Sequence, residues 1–307
     1  MDTIIRTTKL SKSFAEKKVL KNISLSINKG ASIGLVGHNG AGKTTLFSLL
    51  CGFLKANSGE IEILGTIPAS PTLSGRLSIL PQDASFIAGL QVGKQLTMLA
   101  ELQGYSSKEA AKEARRVLEI VDLSKEWQQL PEKLSHGMLK RVAIAQAFIG
   151  KPELILLDEP TAGLDPESAK KIRDLIRKKQ QEITFVISSH NLEDIEDLCE
   201  QVLILKSGEL THHEKIANLT ARENVLTFKM EKELPDNIEQ IFSSIPQVSK
   251  IKKGKQGERK LVVYCQSSEN DTLLEIEILK CLANANLAYR EMVRGERLAD
   301  KVSDMSD

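Results

Sequence analysis

A glycine-rich segment places a lysine and a threonine where they could bind phosphate groups. The segment spans residues 37–44, GHNGAGKT, and directly follows the apolar run ASIGLV. Glycines let successive backbone N–H groups turn toward an anion, and the helix that follows adds its positive dipole end. The ammonium of Lys43 would neutralise phosphate charge, and the Thr44 hydroxyl would serve Mg²⁺. These features predict a phosphate-binding loop, and they disfavour a strand-to-helix turn with an incidental lysine.

Two adjacent carboxylates end a second apolar run, LILLDEP. Residues at the carboxyl end of a parallel strand lie beside the ligand crevice of such sheets. We expect Asp158 to hold Mg²⁺ through water and Glu159 to polarise the attacking water. Adjacent side chains on a strand point to opposite sides, so the position of Glu159 depends on the turn at Pro160. The alternative, a solvated acidic pair, is weaker because the phosphate-binding loop lies upstream.

The elements that must position these residues alternate between short β-rich runs and helices from residue 4 to about residue 219. Helices are predicted at TTLFSLLCGFL and at SSKEAAKEARRVLEIVDL, with Ser106 or Ser107 as the cap of the second. This alternation predicts an α/β domain with a largely parallel core sheet over residues 1–219. The predicted strands are VLKNISLSI, ASIGLVG, GEIEILG, ELILLDEP, ITFVISSH and QVLILKSGEL.

The remaining residues, 220–307, predict a second, smaller domain. After the turn signal at Ser207-Gly208 and a polar stretch, the pattern restarts as strand, helix, strand, strand, helix, strand. This order predicts an α+β domain of ferredoxin-like type with an accessory role. Its predicted elements cover residues 225–230, 236–245, 248–252, 260–265, 273–283 and 287–292.

The composition excludes several classes of protein. Hydrophobic residues make up 41% and charged residues 27% of the 307 residues, which is typical of a globular chain rather than a disordered or fibrous one. The net charge of +1 lacks the basic footprint of nucleic-acid binding. Aromatic residues are only 4%, which leaves few rings for stacking on single strands. We therefore expect no nucleic-acid partner.

The cysteines and the hydropathy pattern indicate where the chain works. Cys51, Cys199, Cys265 and Cys281 are far apart and form no pair with metal-ligand or redox spacing, which favours a reducing cytosol. No apolar run approaches the roughly 20 residues that span a bilayer. The segment MDTIIRTTKL lacks the apolar core of a signal peptide. We therefore expect any membrane role to come through a partner.

A third motif, LSHGM at residues 134–138, opens a predicted helix just upstream of LILLDEP. With the phosphate-binding loop and the acidic strand in this order, residues 4–219 resemble the ATP-binding cassette subunits of ABC transporters. Phosphate-loop enzymes in general lack this signature motif, so it is the most discriminating feature. The resemblance implies a P-loop NTPase core with a RecA-like subdomain, a helical subdomain that carries the signature, and N-terminal antiparallel strands.

The resemblance also implies that ATP is shared between two subunits that close head to tail. The signature helix would present the Ser135 hydroxyl, the Gly137 amide and its dipole end to the γ-phosphate bound on the opposite subunit. We expect a homodimer docked on a separate transmembrane permease. A serine-capped helix without a ligand is the alternative for this motif.

Four further residues match family positions. Gln82 would sense Mg²⁺ and the γ-phosphate and contact the membrane subunit, and Asp165 in TAGLDP would communicate between the cassettes. His190 would contact the γ-phosphate. Phe14, which lies 29 residues before Lys43, would stack on adenine. The alternatives are a surface glutamine, a turn-forming Asp-Pro, a structural histidine and a core phenylalanine.

The predicted site combines these motifs, with ATP and Mg²⁺ as cofactors. The catalytic residues are Glu159, His190, Lys43 and Gln82. Mg²⁺ is assigned to Thr44, Gln82 and Asp158. The nucleotide contacts are Phe14, Gly37, His38, Asn39, Gly40, Ala41, Gly42, Lys43, Thr44, Thr45, Ser135, Gly137 and Asp165.

Three residues depart from the commonest family pattern: His136 and Met138 in the signature, and His38 in the phosphate-binding loop. We still expect ATP hydrolysis, because the groups assigned to chemistry are present. A signature that ends Gly-Met resembles the branch that contains exporters of drugs, antibiotics and lipid or polysaccharide cargo. The expected protein is a cytoplasmic ATPase, peripheral on the inner membrane face through its permease.

Two other functions stay open. An ABC-type ATPase that acts on ribosomes or DNA usually carries tandem cassettes, a long coiled-coil insertion or zinc modules, and the sequence shows none of these. A nucleotide-binding regulator that hardly hydrolyses would be separated by measuring ATP turnover.

Overall fold

The computed structural model describes residues 2–220, 225–254, 259–266 and 271–295, together with Leu298 and Val302. The chain divides into two compact units, Met1–Glu214 and Lys215–Asp307. Each unit has a buried apolar core of its own. The boundary at residues 219/220 stays a prediction.

The first unit begins with antiparallel strands and continues as alternating strands and helices. Short 3₁₀ turns lie at Pro71–Leu73, Ser124–Glu126 and Pro131–Lys133. The strands are β1 (Thr3–Phe14), β2 (Lys17–Asn28), β3 (Ser32–Val36), β4 (Ser58–Ile63), β5 (Leu77–Leu80), β6 (Leu154–Asp158), β7 (Thr184–Ser188), β8 (Gln201–Lys206) and β9 (Glu209–Lys215). The helices are α1 (Lys43–Leu50), α2 (Val92–Leu102), α3 (Ser107–Ile120), α4 (His136–Ala147), α5 (Pro166–Lys179) and α6 (Leu192–Leu198).

Two sheets carry this unit. One has the order β5-β6-β7-β3-β8-β9, and its pairs from β5 to β8 that have a defined register are parallel. The other is antiparallel, with the order β2-β1-β4. Every residue of β3, β6 and β7 is buried, as expected for parallel strands covered on both faces. The prediction of a parallel core sheet with antiparallel N-terminal strands is confirmed.

Local sequence explains where these elements start and turn. Ser106, rather than Ser107, caps α3 in a capping box with Glu109. The turn between β8 and β9 uses two left-handed residues, Ser207 (φ 49°) and Gly208 (φ 81°), which matches a two-residue hairpin. The strands β3, β7 and β6 are parallel neighbours in the sheet, so the segments that follow them meet at the carboxyl end of the sheet.

The second unit has the predicted βαββαβ order. After α7 (Ile216–Thr220) come β10 (Val225–Met230), α8 (Ile238–Ile241), β11 (Val248–Lys253), β12 (Lys260–Cys265), α9 (Asp271–Asn284) and β13 (Tyr289–Arg294). The sheet order is β11-β12-β10-β13, and all its pairs are antiparallel. Each βαβ unit is therefore split by a strand of the other, which is the ferredoxin-like arrangement.

Two predicted elements of this unit are wrong in extent. The helix predicted over residues 236–245 is the single turn α8, because its cap Asn237 makes no side-chain cap hydrogen bond and Pro246 disfavours helix just before it. The last strand begins at Tyr289 rather than residue 287. Asn286 adopts a left-handed conformation (φ 57°) and the Leu287 N–H donates to Leu282 O at 2.9 Å, so this segment closes α9.

Candidate active site

The phosphate-binding loop connects β3 to α1 and holds a buried ammonium. Lys43 is 8% exposed, and its Nζ donates to Gly37 O at 2.7 Å and to His38 O at 3.5 Å. No carboxylate lies within ion-pair distance of this ammonium in the described part of the chain. Gly42 occupies the N-cap position of α1 with φ 111°, and no side chain there accepts a hydrogen bond from the first N–H groups of the helix. A buried cation and an uncapped helix start together suit an anionic ligand.

The other loop residues form the rim and floor of the same turn. His38, Asn39 and Gly40 are exposed, and His38 Nδ1 lies 2.8 Å from Asn39 O. Ala41 is buried and Thr45 is half-buried. The exposed part of the loop is therefore polar, with an imidazole, an amide and a glycine.

Thr44 and Asp158 bring two oxygen ligands together. The Thr44 hydroxyl donates to Asp158 Oδ2 at 2.9 Å, although the residues come from different elements. Ser188 Oγ donates to the other carboxylate oxygen, Oδ1. Asp158 is 2% exposed. A hydroxyl beside a carboxylate held in one orientation is an oxygen donor set that fits Mg²⁺.

Glu159 turns away from Asp158 and meets His190. Its φ is 52°, so the chain leaves the strand at Glu159 itself rather than at Pro160. The Glu159 N–H donates to Ser188 O at 3.1 Å. Glu159 Oε2 lies 2.7 Å from His190 Nδ1, with the glutamate side chain 7% exposed and the histidine side chain 67% exposed. The two adjacent carboxylates therefore face different partners.

The signature motif forms the start of α4. The exposed Ser135 caps the helix and accepts from the Met138 N–H at 3.2 Å. Gly137 is buried, and a Cβ at this position would lie 2.4 Å from Ser168 Oγ on α5. Only glycine fits that approach without movement. No hydrogen bond joins Ser135 or Gly137 to the phosphate-binding loop among the described residues.

Asp165 caps α5 in the same manner. Its carboxylate accepts from the N–H groups of Glu167 and Ser168 at 3.1 and 3.0 Å. The Ser168 N–H bond is the main reason that the pKa of Asp165 is lowered. Asp165 is exposed. Asp165 therefore caps a helix, a role that neither the family match nor the alternative of a turn-forming Asp-Pro included.

Gln82 and Phe14 both lie at the surface. Gln82 is exposed, and its backbone oxygen accepts from Lys140 Nζ at 3.4 Å, a long hydrogen bond. Phe14 is 46% exposed at the end of β1, and Lys12 Nζ lies 5.1 Å from its ring centroid. Phe14 is thus not a core residue. Neither side chain is hydrogen-bonded to Asp158 or Glu159 in the described residues.

Sequence reasoning missed two residues of this site. Ser188 bonds both to Asp158 and to the backbone of Glu159, and the signal for it was the serine pair before His190. Lys140 follows the signature. Burial lowers its pKa, while the charges of Asp83 and Glu159 act in the opposite direction, which places its ammonium within electrostatic reach of the site.

Comparisons with known proteins identify the family of this chain. The family model described as ABC transporter matches residues 20–162, which include the phosphate-binding loop, the signature and the acidic strand. The bacitracin transport ATP-binding protein of Bacillus licheniformis is 40% identical over 214 residues, or 68% of this chain and 69% of that protein. The chain belongs to the ABC transporter family. It is an ATP-binding subunit with ATPase activity.

Another relative and two solved structures support the same assignment. The linearmycin resistance ATP-binding protein of Bacillus subtilis is 33% identical, covering 67% of this chain and 68% of that protein. A nucleotide-free ATP-binding cassette from an ABC transporter aligns with TM-score 0.63 and 27% identity, over 69% of this chain and 91% of that one. A dimeric post-hydrolysis cassette with bound ADP and phosphate aligns with TM-score 0.62 and 25% identity, over 69% of this chain and 98% of that one.

Proposed function

We propose that this ATPase drives export through a separate membrane subunit, and that its own phosphate-binding loop, Asp158, Glu159 and His190 form half of each ATP site. The observation that carries the proposal is the pair of contacts at one sheet edge. Thr44 meets Asp158 at 2.9 Å, and Glu159 meets His190 at 2.7 Å. A magnesium-binding pair and a candidate base with its orienting partner thus meet at the carboxyl ends of β6 and β7, beside the start of α1.

The loop residues bind and orient the phosphate groups. Lys43 offers its ammonium, and the start of α1, which has no side-chain cap hydrogen bond, offers its backbone N–H groups. Thr44, Asp158 and Gln82 would hold Mg²⁺. The ion would supply neutralisation of phosphate charge. The exposed Phe14 ring is available to stack on adenine.

Glu159 polarises the attacking water through one carboxylate oxygen. Its buried carboxylate is held by His190 Nδ1, which leaves the exposed edge of the imidazole to face the γ-phosphate. Because Glu159 adopts a turn conformation at the strand end, its side chain is separated from that of Asp158. One carboxylate therefore serves the metal and the other serves the water.

The second half of each site comes from a second copy of this chain. Ser135 and Asp165 are exposed caps, available to a facing subunit, and the start of α4 is a second positive helix end. Phosphoryl transfer needs charge stabilisation and exclusion of water, which closure of two subunits would supply. His136 and Met138 do not remove the Ser135 hydroxyl or the Gly137 amide.

An exposed apolar face supports docking on a permease. On α2, Gln95 bonds the backbone of Ile87, with Oε1 accepting from the Ile87 N–H at 2.8 Å. Met98 and Leu102 follow at spacings of three and four residues, on the same helix face. Ile87, Met98 and Leu102 are 57%, 45% and 83% exposed. No helix in the described part of the chain is long and apolar enough to cross a membrane.

The direction of transport is inferred from the relatives and from the signature. One relative is named for bacitracin transport and another for linearmycin resistance, and both align over two thirds of this chain. Removal of a toxic compound explains a resistance function. With the signature ending Gly-Met, this favours export, with the membrane subunit placing the ATPase at the inner face of the cell membrane.

ATP turnover against protein concentration tests the proposal. With wild type, turnover per subunit should rise steeply with concentration, because two copies form the site. Glu159→Gln should lower kcat by about 10²-fold or more while ATP remains bound. Lys43→Ala should lose ATP binding, and Ser135→Ala should lose turnover at all concentrations.

Ser106→Ala is the matched control for Ser135→Ala. Both serines cap helices, so loss of either cap costs about 1 kcal/mol of stability. Only Ser135 is assigned to ATP. Wild-type turnover in Glu159→Gln would overturn the base assignment. Concentration-independent turnover that survives Ser135→Ala would overturn the composite site.

A further inference from the structure

Three side-chain contacts join the end of β6 and the segment after it to the end of β7 and the chain that continues into α6. Asp158 meets Ser188, and Glu159 meets His190. The third contact is also buried and has no part in the chemistry described above: Thr161 Oγ1 donates to Asp194 Oδ2 at 2.6 Å.

Asp194 has a second partner, from α5. Arg173 Nη1 donates to Asp194 Oδ1 at 2.7 Å, so both carboxylate oxygens are used. Asp194 is 4% and Thr161 8% exposed. Burying such a charge costs several kcal/mol before pairing, and apolar residues of similar volume often stabilise equally well. Stability alone therefore gives weak grounds for a carboxylate here, and a positioning role gives better ones.

The two partners of Asp194 lie on either side of one loop. Thr161 precedes residues 162–165, and Arg173 lies on the helix that begins directly after them. The first turn of that helix also packs on the signature, through Gly137 and Ser168. Asp194 follows His190 in the next helix along the chain. One carboxylate thus ties the signature-contacting helix to the segment that carries His190.

We propose that Asp194, Thr161 and Arg173, here called the Asp194 clamp, position the Glu159–His190 pair for hydrolysis. The inference rests on the proposed function of that pair. The clamp holds residues 162–165 and α5 at a fixed distance from His190. Because the first turn of α5 packs against the start of α4, a shift of α4 would move α5, and the clamp would pass that movement to the Glu159–His190 contact. None of the three clamp residues needs to touch ATP.

Thr161→Val in the full-length chain is the first test, because it keeps the volume and removes the hydroxyl. We expect kcat to fall about tenfold through misplacement of the pair. KM for ATP should stay within about twofold, because the phosphate-binding loop is untouched. Thr161→Ser should restore kcat. Thr7→Val is the matched control, since Thr7 is also buried and its hydroxyl donates to Ile23 O at 3.0 Å in the antiparallel sheet.

A double-mutant cycle with Asp194→Asn completes the test. If Thr161 acts through Asp194, the double variant should be no slower than the slower single variant. If Thr161→Val has the same kcat as Thr7→Val, the clamp proposal is wrong. It is also wrong if the losses of kcat in the two single variants multiply in the double variant, because the two residues then act independently. Glu159→Gln is measured in the same assay. If it is inactive while Thr161→Val is normal, only the clamp fails; if it turns over normally, the proposed base fails.

Discussion

Glu159 occupies a backbone conformation that a glutamate seldom adopts. Its φ of 52° costs on the order of 1–2 kcal/mol, which neighbouring contacts must offset. Ser188 supplies them: its carbonyl oxygen and its hydroxyl both lie near the Glu159 N–H, at 3.1 and 3.2 Å, and the hydroxyl also meets Asp158. A single serine therefore supports the Asp158 carboxylate and the backbone of Glu159.

Ser188→Ala should accordingly weaken catalysis without removing any group assigned to ATP. Loss of an outer partner of a metal-binding carboxylate typically costs about 10–100-fold in metal affinity or activity. We expect a rise in the Mg²⁺ concentration needed for half-maximal turnover, measured by titrating Mg²⁺ at fixed ATP. Ser189→Ala is the control, because in the described part of the chain the Ser189 hydroxyl accepts only from the Asn191 N–H, at 3.0 Å. An equal Mg²⁺ requirement in both variants would contradict the role of Ser188.

The sequence alone predicted the residues that belong to continuous motifs, and it missed those that depend on pairing. Lys43, Thr44 and Asp158 stand in runs whose chemistry can be inferred from spacing. Ser188 acquires its role because β6 and β7 pair with Asp158 opposite Ser188, a register that no local pattern encodes. Lys140 likewise approaches the site only when α4 folds against the segment after β5.

At the scale of elements, alternation and turn signals predicted most of the core strands and the ferredoxin-like order. They missed β1, β5 and α5, and they gave β8 and β9 as one strand. They also overestimated the length of one helix. Propensity over residues 236–245 favoured a full helix, yet the flanking prolines and a weak cap leave one turn. Contacts between helices were also beyond local patterns. Glu113 and Arg116 on α3 both reach the chain just after α4, through the Gly150 N–H at 2.8 Å and Phe148 O at 2.7 Å.

Glu113→Gln should therefore loosen α3 from the end of α4. Burial alone would raise the pKa of Glu113, but hydrogen bonds from Arg116 and the Gly150 N–H lower it below its ordinary value of 4.5. The stability that this carboxylate contributes is present above 4.5 and is lost as pH falls through the lowered folded pKa. At pH 7 we expect Glu113→Gln to be about 1 kcal/mol less stable in urea unfolding.

The difference in the free energy of unfolding between wild type and Glu113→Gln should shrink as pH falls below 4.5, because protonation of Glu113 then removes the same ion pair from wild type. Glu167→Gln provides the control, since its pair with Lys171 lies on an exposed helix face and contributes little. A constant difference between pH 7 and pH 3 would show that Glu113 acts through shape rather than charge.

For the whole molecule, unfolding depends on the two separate apolar cores. The first core gathers residues of the two sheets around Phe47, and the second gathers residues of the ferredoxin-like sheet and its helices around Phe228. Each unit therefore has the buried apolar surface that a cooperative unfolding transition requires. All the residues that this chain would supply to the proposed nucleotide site lie in the first unit.

Nucleotide should thus stabilise one unit and not the other. In scanning calorimetry of the full-length Glu159→Gln variant, we expect two transitions, and ATP at 100 times its Kd should stabilise the first unit by about 2.7 kcal/mol. The transition of the ferredoxin-like unit should not move. Lys43→Ala serves as the control, because it should abolish the ATP-dependent shift while keeping both transitions. A single transition that shifts as a whole with ATP would mean that the two cores unfold as one cooperative structure, and residues 215–307 would then contribute directly to the stability of the nucleotide-bound state.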